Sequence, residues 1–208
     1  MNRSITALCA AAAIGLALAA PARAGTHTVS FDDLPVTSDF ANPMPAGYGG
    51  IAWEGNNWEY LVCGVVTICP TAGPDPYPYT PHTYPGMATV DFALGTTMQF
   101  GFTGGPAVFN GAWVTTFDND IFGYVLKLGG VTVHTTPIMT SNAAPSFASS
   151  GYGGQVDEVD IVASDIGDWA IDDLSFTTAA VPEPTSNMLL LAGLMTLSLA
   201  GLAARRRR

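Results

Sequence analysis

The chain has 208 residues, 17 acidic against 7 basic side chains, a formal charge of −10 and 48% hydrophobic residues. Six of the basic residues, Arg3, Arg23 and Arg205 to Arg208, lie in the two apolar ends, so residues 25–180 hold Lys127 alone against 16 carboxylates, a balance of −15. Such a field repels phosphate, which excludes nucleic acid and anionic lipid as partners of that stretch and favours cations.

Met1–Ala24 opens with a basic Arg3, continues through the apolar stretch Ile5 to Ala20, and ends on the small-residue site Ala22-Arg23-Ala24. This order is that of a secretory signal peptide, cut by signal peptidase between Ala24 and Gly25 and set aside from fold reasoning. A lipoprotein reading centred on Cys9 fails, because Leu8 is too large for such a site and little apolar sequence precedes it.

Residues 25–180 have the length of one domain. Short runs of Val, Ile, Phe, Tyr, Trp and Thr recur there between Gly, Pro and Asn. They predict strands over Thr26–Leu34, Gly50–Glu54, Glu59–Cys63, Thr89–Leu94, Met98–Phe102, Val108–Thr116, Phe122–Leu128, Val131–Thr135, Glu158–Val162 and Trp169–Phe176. Val159 and Ile161 alternate with Glu158 and Asp160, the period of a half-buried strand. Gly129-Gly130 predicts a two-residue hairpin turn between Tyr124–Leu128 and Val131–Thr135. No window away from the ends has a helical stripe. The expected fold class is therefore all-β, a two-sheet sandwich in which each inward face buries the other, flanked by an N-terminal signal helix and a C-terminal transmembrane helix.

Within this domain, Cys63 and Cys69 form an isolated pair in a chain read as exported, most simply a disulfide. A metal site would want two further ligands nearby, and a redox pair would have two intervening residues rather than five. The stretch Pro74–Pro85 holds five prolines and reads as an extended loop presenting Tyr77, Tyr79 and Tyr84. With Trp53 and Trp58 upstream, these rings are candidates for stacking on sugars of an extracellular polysaccharide. The rival reading lays the same rings over a sheet edge. Glu54 and Glu59 flank Trp58 as a glycosidase pair would, but sequence does not give their separation. His27, His82 and His134 stand singly, and neither G-x-S-x-G nor H-E-x-x-H occurs. Catalysis is thus not expected.

The chain ends on Val181-Pro182-Glu183-Pro184, then the uncharged run Met188 to Ala204, then Arg205 to Arg208. Those 17 uncharged residues are at the short end of what spans ~30 Å of hydrocarbon as a helix. Four arginines mark the cytoplasmic side. This order resembles the PEP-CTERM sorting signal of bacterial exported proteins. The resemblance implies an inner-membrane intermediate, cleavage near Pro182–Pro184 by an exosortase-type protease, and delivery to the cell surface or extracellular matrix.

A second resemblance rests on Val29–Leu34, Gly47–Trp53, Phe109–Trp113 and Trp169–Phe176, which are similar to segments of the jelly-roll, carbohydrate-binding-like domains that often precede such tails. In those domains the first and last strands lie side by side, and a structural calcium sits where they meet. The resemblance therefore makes Asp33 and Asp172 calcium candidates, with Asp32, Asp168 and Asp173 as alternates. Adjacent Asp residues on a strand point to opposite faces, so one of each pair at most is expected to reach a shared ion. The alternative is a solvated strand end whose like charges discourage aggregation. The function expected from all of this is a non-catalytic, exported matrix or binding module. A glycan-binding adhesin and a secreted glycoside hydrolase are the alternatives.

Overall fold

In the computed structural model the described residues are 24–35, 41–54, 57–64, 79–90, 98–116, 120–164 and 168–178. All but Ala24 belong to one unit, Gly25–Ala179. The β-branched and aromatic runs form β1 (Thr26–Val29), β2 (Asn42–Pro43), β3 (Ile51–Trp53), β4 (Trp58–Val62), β5 (Gly86–Val90), β6 (Gln99–Phe102) and β7 (Ala107–Thr116). They continue as β8 (Ile121–Leu128), β9 (Val131–Thr135), β10 (Met139–Thr140), β11 (Ser146–Ser149), β12 (Glu158–Ala163) and β13 (Trp169–Thr178). The described helical structure is one 3-10 turn, Tyr48–Gly50.

Two antiparallel sheets result. One runs β11-β7-β13-β5-β4-β2 with β1 added on β13, and the other runs β10-β8-β12-β6-β3 with β9 added on β8. The first and last strands are thus neighbours, Thr26 opposite Thr177 and Val29 opposite Leu174.

Alternation explains why the sheets face each other. Along β13, Trp169, Ile171, Leu174 and Phe176 are buried in one core with Phe100 and Phe102 of β6, Phe122, Tyr124 and Leu126 of β8, and Val159 and Ile161 of β12. Rings from the two sheets interlock edge to face, Phe109 against Tyr124 at 4.9 Å and Phe122 against Trp169 at 5.8 Å between centroids. Burying one such side chain stabilises by roughly 1.5–3 kcal/mol, so these contacts fix the packing of the two layers.

The expected strands recur with shifted ends. β1 stops at Val29 rather than Leu34 because Phe31 takes φ 62 and turns the chain. The strand expected over Thr89–Leu94 lies at Gly86–Val90, and residues 91–97 fall outside the described residues. The Gly-Gly hairpin forms as expected. Leu128 pairs with Val131, and Gly129 and Gly130 have φ 59 and 75, the positive values that a right-twisted two-residue turn requires. β2, β10 and β11 have no counterpart among the expected strands, being two to four residues long and mixed with Pro, Thr and Ser. The expected helices over the signal segment and Met188 to Ala204 lie outside the described residues, among which no helix is long and apolar enough to cross a membrane.

Candidate functional site

Along one edge β13 changes partner. Ile171 pairs with Ala88 of β5, whereas Leu174 to Thr177 pair with β1, and Asp172 and Asp173 fill the gap. The register against β7 shifts between Asp172 and Ser175, and Asp173 adopts φ 45. A β-bulge of this kind re-aims side chains, and it overturns the expectation that the two carboxylates point apart. Both reach Thr83. Its backbone N–H donates to Asp172 Oδ2 at 2.7 Å, and its hydroxyl lies 3.4 Å from the same oxygen and 3.3 Å from Asp173 Oδ1. His82 Nδ1 donates to Asp173 Oδ2 at 2.6 Å, and the Asp173 N–H donates to Asp172 Oδ1 at 2.6 Å. Asp32 joins from the turn after β1, its Oδ1 accepting the Gly86 N–H at 2.8 Å.

These bonds strap residues 82–86 onto the sheet. Asp172 is only 3% exposed. Burial first, then the neighbouring Asp173 and Asp32 charges, push its carboxyl up to about 7 against the pull of the Thr83 and Asp173 amides.

Of the calcium candidates, Asp33 accepts the Tyr48 hydroxyl, and it is Asp32 rather than Asp33 whose charge acts on Asp172. Protein donors occupy both oxygens of Asp172 and both of Asp173. Calcium takes six to eight oxygens, and among the described residues no group of three or more His, Cys, Asp or Glu side chains is arranged to hold a metal ion. Asp168 is described but takes no part in the bonds above.

The expected aromatic platform is corrected at two of its residues. Trp58 is 2% exposed and Tyr79 4%, so neither ring is open to a sugar. Trp58 belongs to the core, its ring 4.8 Å from the half-buried Trp53 and 5.8 Å from Trp169. The physical reason is the strand period: Trp58 alternates with Glu59 and shares the inward face with Tyr60 and Val62. Tyr84 is exposed at 67%, and Tyr77 lies outside the described residues.

The two glutamates do not face one another. Glu59 stands outward on β4 between the core residues Trp58 and Tyr60. Glu54 follows β3 in the other sheet and accepts from Gln99 Nε2.

Cys63 is buried at 4%, while Cys69 and Val181 to Pro184 lie outside the described residues. Ala24 is exposed, and Gly25 is the first of the described residues bonded to the sheet, its carbonyl accepting the Thr178 N–H at 2.9 Å.

Sequence reasoning missed a second aromatic group. The His82 ring stacks on Trp113 at 3.6 Å and 7°, and Trp113 meets Phe147 at 5.8 Å and 64°. An outward Trp on β7 was visible as alternation with Ala112 and Val114. Its partners come from a loop and from a strand too short to recognise. Compared with family models and with curated proteins, the chain matches none.

Proposed function

We propose that the chain is an exported protein sorted to the cell surface or extracellular matrix through a PEP-CTERM-type tail, and that residues 25–180 act there as a non-catalytic, jelly-roll-like binding or matrix module. The observation that carries this reading is the order of the tail: Val181–Pro184, an uncharged run, then Arg205 to Arg208. Each part has its own physical role as joint, hydrophobic stop and cytoplasmic clamp. The unit Gly25–Ala179 has nearly the bounds that leader and tail leave free, which supports the division. The neighbouring β1 and β13 support the jelly-roll likeness. A Cys63–Cys69 bridge belongs to the same proposal and fits an oxidising compartment.

A binding role is favoured over hydrolysis because Glu59 lies on β4 of the seven-stranded sheet, while Glu54 follows β3 of the six-stranded sheet and accepts from Gln99 there. A glycosidase needs its two carboxyl groups within about 10 Å across a substrate.

Cell fractionation tests the proposal. The chain is expected in the surface or matrix fraction, and replacing Pro182, Glu183 and Pro184 by alanine is expected to leave it uncut in the membrane. Surface delivery unchanged by that replacement would refute the sorting role.

A further inference from the structure

The charges of this domain are unevenly placed. The outer side of the six-stranded sheet carries Glu54, Lys127, Glu158 and Asp160. On the seven-stranded sheet, β1, β7, β11 and residues 174–178 of β13 contain no Asp, Glu, Lys or Arg at all. In a stretch with a balance of −15, a surface built from these segments and bordered by Asp173 of the same strand is nearly free of fixed charge, a distinct chemical environment.

That surface carries an ordered polar row. Alternation turns Thr26 of β1, Asn110 of β7 and Ser175 and Thr177 of β13 outward, opposite the inward Val29, Phe109, Leu174 and Phe176. The Asn110 amide donates to the Ser175 hydroxyl at 3.1 Å and to the Thr177 hydroxyl at 3.3 Å, and Thr177 meets the Thr26 hydroxyl at 3.1 Å. An aromatic ring adjoins the row. Phe147 is 43% exposed, braced by Trp113, and its tip reaches over Gly111, 3.0 Å from where a Cβ there would lie. Gly111 pairs with Ser175, which puts ring and row side by side.

We propose that this face, with Phe147 as the stacking ring and Asn110, Ser175 and Thr177 as the hydrogen-bonding row, binds an uncharged polysaccharide. The proposal rests on the binding-module reading above and names its ligand class. Sugar rings present C–H faces that pack on an aromatic ring, and hydroxyls that both donate and accept. The row offers the same two-way chemistry, already ordered, so little conformational entropy is lost on binding. Charge selects among polymers. Acidic polysaccharides and nucleic acid meet a repulsive field, a basic partner finds its counter-charges at the Asp173 border and on the other sheet rather than along the row, and a second copy brings a further −15.

The test is affinity electrophoresis of the full chain, purified in a neutral detergent, through gels containing hydroxyethylcellulose, arabinoxylan or galactomannan, with alginate as the acidic control. Retardation is expected in at least one neutral gel and not in alginate. Phe147→Ala and Asn110→Asp should each weaken it about tenfold. Val131→Ala, which trims a 65% exposed side chain on the other sheet, should leave it unchanged. Thr28→Glu, at an exposed outward position of β1, places a charge beside the row and should weaken binding even if Phe147→Ala lowers the melting temperature. No retardation in any of the three neutral gels would overturn the proposal, as would retardation that survives Phe147→Ala, Asn110→Asp and Thr28→Glu. Binding is read on purified chain and sorting is read in cells, so the two proposals fail separately.

Discussion

Asp172 sits within a strand with donors on both its oxygens and two other acidic residues beside it. Its raised carboxyl pKa has a definite consequence. An unfolded Asp titrates near ~4, so between about 4 and about 7 the folded chain holds a proton that the unfolded chain has released. Stability then falls as pH rises through this window, because the folded state binds the greater number of protons. The contribution is fully present below the unfolded value and gone above the folded one. An asparagine at this position would keep the acceptor for Thr83 and lose the titration, so Asp172→Asn is expected to flatten the decline of melting temperature between pH 4 and pH 7. A decline as steep as in the parent would contradict this. The twin Asp pairs were legible as unusual residues, but their arrangement was not. The bulge depends on Asp173 at φ 45, and although Asp takes positive φ more readily than most residues, few Asp residues do, so the sequence does not mark which one turns.

The pair β8 and β12 shows how a sheet face handles the one basic residue of residues 25–180. Lys127 stands opposite Glu158 and diagonal to Asp160, bonded to each at 2.6 Å. Its ammonium is held well above the usual range by Asp160 first and then Glu158. Asp160 nevertheless titrates higher than an ordinary Asp, because burial outweighs the pull of Lys127. Without Lys127 two carboxylates would stand side by side. Lys127→Met is expected to cost roughly 1 kcal/mol at pH 7, a modest figure because all three side chains are about a quarter exposed. The loss should shrink at pH 4 as Asp160, whose carboxyl is raised by burial, takes up a proton. Urea denaturation at the two pH values measures it, and an equal loss at both would contradict the account. Elements of this kind were legible: alternation marked Val159 and Ile161 as inward, and Gly-Gly marked the turn. β10 and β11 were not, because two to four residues of mixed Met, Thr, Ser and Phe carry no period to read. Trp58 and Tyr79 were misplaced for a related reason. Trp and Tyr suit a core as well as a sugar, and only pairing decides which way a strand turns them.

For the whole molecule, the division of charge between its faces and its ends organises the rest. Six of seven basic residues are concentrated in residues 1–24 and 181–208, while residues 25–180 hold nearly all the acid. The two-sheet class could be read from composition and period alone. The neutral face could not, since it arises only when β1, β7, β11 and β13 come together from opposite ends of the sequence. On the sorting proposal, residues 25–180 cross a membrane and lose both flanking segments. Intact-mass and terminal-peptide spectrometry of the chain recovered from its producing cells tests that most directly. The account predicts a species starting at Gly25, ending close to Pro182–Pro184, with Cys63 and Cys69 oxidised to one another. A single cytosolic species running from Met1 to Arg208 with both thiols free would contradict it.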